Sequence, residues 1–204
     1  MAVEEPKFEL VAQDGNYEIR RYAPVIIAET LVSGDMDAAS SKGFRLIADY
    51  IFGNNTLAGA AAGKGSEKIA MTAPVVLTPV GGSAKIAMTA PVAAEPLGAA
   101  TDLSTATQWR IHFVMPAEYS MPALPKPNNE AVTLRQLPAR SVAVLTYSGL
   151  NTASQVQKKT AELDAWLQAK DIKPTGTPLL ARYDPPWTLP MWRRNEIQVE
   201  VKTP

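Results

Sequence analysis

The sequence predicts an α+β fold in which two α-helices flank a curved antiparallel sheet or distorted β-barrel built on a pseudo-two-fold repeat. The first observation is the segment order, because strand, strand, helix, strand and strand occur in that order twice. The second is composition, since 204 residues with 46% hydrophobic and 20% charged residues are typical of one globular domain. We assign residues 17–204 to this domain, with half-repeats at about 17–115 and 130–204, and residues 1–16 to an N-terminal extension.

The first half-repeat begins with two segments that alternate apolar and polar residues. Residues 17–22 alternate, turn at Ala23 and Pro24, and resume at residues 25–32. A helix is predicted from about Asp35 to Phe52, because small and apolar side chains recur there at intervals of three and four residues.

An eight-residue motif follows this helix and occurs twice. Residues 68–75, with the sequence Lys-Ile-Ala-Met-Thr-Ala-Pro-Val, recur as residues 85–92. Two copies at so short an offset do not make a solenoid. Each copy alternates until its proline, which predicts two strand ends that close a hairpin through Pro79, Gly81 and Gly82.

The second half-repeat shows the same order as the first. Residues 132–137 and 141–147 alternate on either side of a turn at Pro138 and Ala139. A helix begins at Thr152, where Thr152 and Gln155 fit the capping-box pattern. Strands at about 179–183 and 196–201 complete the repeat.

Composition and charge exclude several classes of site. The chain has no cysteine and one histidine, so disulfides, thiolate ligands and two-imidazole metal sites are excluded. Lys and Arg total 20, as do Asp and Glu, and a chain without net charge gives no electrostatic reason to expect nucleic-acid binding. No apolar stretch approaches the ~20 residues of a membrane span. Residues 1–7 do not resemble a signal peptide, and the compartment stays open because a mature exported chain could look the same.

The single histidine lies in a segment with strand alternation. That period places Trp109, Ile111, Phe113 and Met115 on one face and Arg110, His112 and Val114 on the other. His112 therefore shares the more polar face, where we expect a hydrogen-bonded or solvated imidazole.

Several segments together resemble the SOUL haem-binding protein family. The resemblance runs from about Tyr17 to Val201 and is carried by residues 17–22, 43–54, 68–75, 109–116, 183–187 and 193–196. It implies a distorted antiparallel barrel with two helices and a hydrophobic surface pocket for haem or another tetrapyrrole. On this basis we expect a monomeric, non-covalent haem carrier, buffer or scavenger that is not an enzyme.

The resemblance also implies where haem would bind. The apolar face of the first helix matches the region of family members implicated in haem contact, and it consists of Phe44, Ile47, Ala48 and Ile51. Cations suited to the propionates are Lys42, Arg45, Lys68 and Lys85. The macrocycle could touch Met71 and Met88, and the axial ligand could be His112 or a methionine. Each group also has an ordinary structural interpretation, since an apolar helical face is usually core and a surface cation is usually solvated.

Two other classes of function stay open. The two-repeat architecture resembles GyrI-like domains, which bind cationic hydrophobic small molecules and have some hydrolase relatives. A buried glutamate with aromatic walls would be central there, and the available residues are Glu118, Glu196, Trp109, Trp187 and Trp192. The third class is an interaction protein whose proline-rich loops engage a partner, and for the loop at 183–187 we also expect ion pairs from Asp184 to Arg193 or Arg194.

Overall fold

The computed structural model describes residues 4–57, 59, 65–80, 103–185 and 187–202. Within these residues the elements follow in the order β1 (Phe8–Asp14), β2 (Tyr17–Tyr22), β3 (Val25–Ser33), α1 (Met36–Ile51), β4 (Asn55–Thr56), β5 (Val75–Pro79), β6 (Gln108–Val114), β7 (Lys126–Pro127), β8 (Thr133–Leu137), β9 (Arg140–Tyr147), α2 (Ala153–Ala169), β10 (Leu179–Arg182), a 3-10 turn (Pro190–Trp192) and β11 (Asn195–Glu200). The predicted α+β class is confirmed.

One curled antiparallel sheet contains nine of the strands in the described part of the chain. Its order is β1-β2-β9-β11-β10-β5-β6-β3-β8. Without β1, the order is symmetric about its centre. Exchanging β2 with β8, β3 with β9, β5 with β10 and β6 with β11 gives the same order read from the other end. The predicted repeat therefore corresponds to a pseudo-two-fold axis between β5 and β10.

The repeat exchanges strands between its halves. Strand β2 pairs with β9 and strand β8 pairs with β3. The first strand of each half therefore pairs with a strand of the other half. The turn at Ala23 and Pro24 therefore separates two strands that pair elsewhere in the sheet, and it is not a hairpin turn.

Helix α2 begins at the cap that the sequence predicts, and α1 begins where its predicted segment starts, at Asp35. The Asp35 side chain accepts hydrogen bonds from the backbone N–H groups of Asp37 and Ala38 at the start of α1, and Thr152 accepts one from the N–H of Gln155 at the start of α2. Neither helix of the described residues is long and apolar enough to cross a membrane.

Both helices pack on the same face of the sheet, which we call the helix-covered face. Helix α1 lies on β3 and β6, and α2 lies on β9 and β11. The approach of α1 is close at Gly43, where a Cβ atom would lie 2.4 Å from Cγ1 of Ile111. Ile111 and Phe113 therefore point toward α1, and the alternation of β6 places His112 on the opposite face, called the far face here.

Two segments differ from the sequence-based description. Residues 8–14 of the N-terminal extension form β1, which pairs with β2 and belongs to the sheet. The first copy of the repeated motif precedes its strand, since Thr72 makes only an isolated bridge to Glu4 and β5 begins at Val75. Pro74 has no N–H to donate to a ladder, which explains why the regular strand begins after it. The second copy, with Met88 and Lys85, lies outside the described residues, as do Gly81 and Gly82 of the predicted hairpin.

Candidate functional site

The solvent side of α1 combines an apolar ring with two cations. Phe44 is 37% exposed, and its ring lies 5.7 Å from the ring of buried Phe113 at an interplanar angle of 53°. Lys42 and Arg45 flank it in sequence, are exposed, and form no ion pair with any described residue. Helix α1 thus exposes one apolar ring and, at other angles around its axis, two unpaired positive charges.

The rest of the predicted apolar face of α1 is core. Ile47 and Ile51 have no exposed surface and Ala48 is 6% exposed, because they face the sheet. The stripe therefore divides into three residues that hold the helix on the sheet and one, Phe44, that a ligand could reach in this conformation.

The first copy of the repeated motif passes the C-terminal end of α1. The N–H of Ile69 donates to the carbonyl of Ile51 at 2.9 Å, which brings half-buried Met71 and exposed Lys68 toward that end of the helix. This hydrogen bond ties the segment with Met71 to the C-terminal end of α1.

A second exposed apolar surface is the segment 187–192, which we call the tryptophan loop. Its exposed large side chains are Trp187 (82%), Leu189 (50%), Met191 (66%) and Trp192 (70%), and Leu150 (52%) lies on a neighbouring segment. Sequence analysis missed Leu189 and Met191, because a proline-rich loop shows no periodicity that marks its apolar residues.

Hydrogen bonds hold the tryptophan loop at both ends. The carbonyl of Pro190 accepts from the N–H of Gly149 at 2.9 Å, and Asp184 accepts from the backbone N–H of Arg194 at 2.6 Å. The predicted tie from Asp184 thus exists as a hydrogen bond to backbone, while the guanidinium of Arg194 forms an ion pair with Glu5 at 2.5 Å.

The base of the tryptophan loop is joined to α1. Arg182, the last residue of β10, donates to Asp37 at 3.0 Å and to Ser40 at 3.3 Å. The loop begins five residues after Arg182, which itself contacts the first turns of α1. Sequence analysis gave no role to Arg182.

His112 lies on the far face and is 6% exposed, so the expectation of a solvated imidazole is wrong. Its Nδ1 has no hydrogen-bond partner among the described residues. Burial, together with the charges of Arg140, Arg135 and Arg110, lowers the pKa of His112 from 6.5 to about 3. The imidazole is thus neutral near pH 7, and the sheet separates it from α1.

A buried polar network occupies another part of the far face. The Glu196 carboxylate, 1% exposed, accepts hydrogen bonds from Arg20 at 3.1 Å, Tyr183 at 2.8 Å and Gln198 at 2.6 Å. Burial is the largest single effect and disfavours a charged Arg20, but attraction to Glu196 together with the interactions with Tyr22 and Glu18 outweighs it, so the pKa of Arg20 is raised. The carboxylate is therefore already paired with an internal cation.

The other residues considered for a glutamate site do not surround Glu196. Trp109 is in the core and donates its Nε1–H to the carbonyl of Gly34, Glu118 is exposed, and Trp187 and Trp192 lie on the tryptophan loop. The aromatic neighbours of Glu196 are instead Tyr183 and, through Arg20, Tyr22.

Exposed side chains of the types that haem requires occur on α1 and on the tryptophan loop. Phe44 and the tryptophan loop expose apolar surface, and Lys42 and Arg45 are unpaired cations that suit carboxylate groups. The chemistry of these side chains fits haem held at the protein surface. No cluster of three or more metal-binding side chains occurs among the described residues, and His112 is on the wrong face to ligate iron at α1.

Comparison with solved structures identifies the same fold at low sequence identity. The chain matches the crystal structure of the EcmrR C-terminal domain with a TM-score of 0.60 and 12% identity, covering 92% of this chain and 98% of that one. It matches a hydrolase from Listeria innocua with a TM-score of 0.55 and 12% identity, covering 94% of each chain. An uncharacterized conserved protein from Listeria innocua gives a TM-score of 0.54 and 11% identity, covering 90% and 92%. These likenesses establish the fold alone.

Comparison with family models is more specific, while no curated protein matches the chain. The model described as SOUL heme-binding protein matches residues 3–200, nearly the whole chain. The match begins before β1, and it includes α1, the first copy of the repeated motif and the tryptophan loop. The chain therefore belongs to the SOUL haem-binding protein family.

Proposed function

We propose that the protein binds haem or another tetrapyrrole non-covalently, as a monomer, and acts as a carrier, buffer or scavenger rather than as an enzyme. The observation that carries this proposal is the half-exposed ring of Phe44 on α1, a helix that also exposes the unpaired cations Lys42 and Arg45. Membership of the SOUL family supports it.

The macrocycle would rest on Phe44, and the exposed tryptophan loop would offer it further apolar surface. Trp187 and Trp192 expose most of their surface, and covering exposed apolar area with an apolar ligand is favourable by about 25 cal/mol per Å². Lys42 and Arg45 would hold the propionates by charge-assisted hydrogen bonds. When bound, haem would supply its own redox and ligand chemistry, and this chain's residues would bind and orient it.

Axial ligation by His112 is not part of this proposal. Its imidazole lies across the sheet from Phe44 and has a strongly lowered pKa. Among the described residues, the thioethers of half-buried Met71 and exposed Met191 remain as candidate iron-binding groups.

The GyrI-like alternative receives less support from the geometry. A cationic ligand needs a carboxylate without a partner, but Glu196 is neutralised by Arg20 and hydrogen-bonded by Tyr183 and Gln198. A cation that entered there would have to displace Arg20.

A hemin titration followed by absorbance tests the proposal. We expect a saturable one-to-one change in the Soret band for the wild type and at least tenfold weaker binding for Phe44→Asp, which puts a charge where the macrocycle would lie. Phe8→Asp is the matched control, because Phe8 is similarly exposed at 43% but lies on β1, and its affinity should stay within twofold. A non-saturating drift in the wild type, or equal losses in both variants, would refute the proposal.

The role of the cations needs its own variant. Lys42→Gln combined with Arg45→Gln should weaken hemin binding and reduce its dependence on salt, because screened charge attraction would be lost. Unchanged affinity and salt dependence would show that the propionates are held elsewhere.

A further inference from the structure

A cleft of about 550 Å³ lies apart from α1 and the tryptophan loop. It is bounded by the N-terminal segment Glu4–Lys7, by the turn at Ala23 and Pro24, and by the loop 115–122 that follows β6. Sites for small molecules are typically 300–1,000 Å³. The cleft is therefore large enough for a ligand, and none of the residues proposed to contact haem lines it.

One wall of the cleft, the segment Glu4–Lys7, is held by specific bonds. The carbonyl of Glu4 accepts from the N–H of Ala73 at 3.0 Å, and its side chain accepts from the N–H of Ala117 at 3.0 Å. Glu5 forms an ion pair with Arg194 at 2.5 Å. Bonds to three separate segments fix this wall in place.

The charges around the cleft cancel. Arg194 neutralises Glu5, which leaves the carboxylate of Glu4 and the ammonium group of Lys7, and Lys7 forms no ion pair with a described residue. The hydroxyl of Tyr119 donates to Glu67 at 2.6 Å, and this hydrogen bond raises the pKa of Tyr119 to about 12, so the phenol is uncharged. The lining therefore does not select for a charged ligand.

Most of the remaining lining is apolar. Its larger apolar side chains are Val25, Ile26, Val114, Met115 and Met121, together with prolines 6, 24, 116 and 122. The side chains of Ser120 and Gln136 also line the cleft and have no hydrogen-bond partner among the described residues. Apolar walls with a few free hydrogen-bonding groups are the usual composition of a small-molecule site.

We propose that this cleft binds an uncharged, mainly apolar small molecule that hydrogen-bonds to Gln136 or Ser120. This site is separate from the proposed tetrapyrrole surface, and it does not depend on that proposal.

A fluorescence titration with the neutral dye Nile red tests the cleft. Met121→Trp fills the cleft with a larger ring and should weaken dye binding at least tenfold. Met191→Trp makes the same substitution on the exposed tryptophan loop, outside the cleft, and should change the affinity by less than twofold. Equal affinities of Met121→Trp and wild type, or a larger loss in Met191→Trp, would overturn the proposal.

Two further readouts separate this site from haem binding. Because Nile red is uncharged and no charge attraction holds it, its affinity should stay within twofold between low and high salt, whereas hemin binding should weaken as salt screens its propionates. Phe44→Asp should keep dye binding, and Met121→Trp should keep the Soret change with hemin. Loss of dye binding in Phe44→Asp, or a strong salt dependence, would overturn the assignment of a separate neutral site.

Discussion

The buried imidazole of His112 should make the protein less stable as the pH falls from 7 to 5. In the unfolded chain His112 has an ordinary pKa of 6.5, and in the folded protein the value is about 3. Between these two values, His112 is protonated in the unfolded state and neutral in the folded state. The free energy of unfolding therefore falls as the pH drops below 6.5. Linkage gives a loss of about 0.2 kcal/mol at pH 7 and about 2 kcal/mol at pH 5. The result is insensitive to the folded pKa as long as that value stays below about 4.

Urea unfolding at the two pH values, followed by tryptophan fluorescence, measures this loss. His112→Gln is the informative variant, because glutamine is polar and does not titrate in this range, and the chain has no other histidine. Its free energy of unfolding should fall by about 2 kcal/mol less than that of the wild type between pH 7 and pH 5. Carboxylates are the same in both proteins, so their contribution cancels. Equal pH dependence would refute the argument that His112 is buried and neutral.

Two further predictions concern stability. Gly43→Ala should lower the free energy of unfolding by about 1–3 kcal/mol, because its Cβ would lie 2.4 Å from Ile111. Gly176→Ala is the control: its Cβ would have its nearest atom at 3.4 Å, so its loss in the same urea titration should be clearly smaller. Arg20→Met should cost about 3–5 kcal/mol by leaving the charge of Glu196 buried without a cation, and adding Glu196→Gln should recover most of that loss in a double-mutant cycle. Additive losses would contradict the proposed coupling.

The parts of the fold that depend on neighbouring residues could be predicted from sequence. The starts of both helices depend on side chains that cap the next turn, so Asp35 and Thr152 identify them without knowledge of the sheet. The alternation of β6 likewise places His112 and Phe113 on opposite faces. The two-fold order of segments was visible because each half repeats these local signals.

The parts that depend on distant residues could not be predicted. Nothing near residues 17–22 indicates that β2 pairs with β9 of the other half, or that residues 8–14 add a strand. The apolar stripe on α1 showed which side of the helix is apolar, but not that the sheet would cover Ile47 and Ile51 completely. The polar neighbours of His112 indicated a solvent-exposed face of the strand, whereas the side chain of His112 is buried in the folded sheet.

The sheet therefore separates two kinds of chemistry that the sequence places close together. Residues 112 and 113 are adjacent, yet Phe113 supports Phe44 on the helix-covered face, and His112 lies among arginines on the far face. A haem held on α1 cannot use this imidazole unless the sheet opens. His112→Gln should consequently lose the pH dependence of stability and keep the Soret change with hemin. If the Soret change is lost as well, although the variant is folded at pH 7, the haem must lie on the far face and the assignment of α1 is wrong.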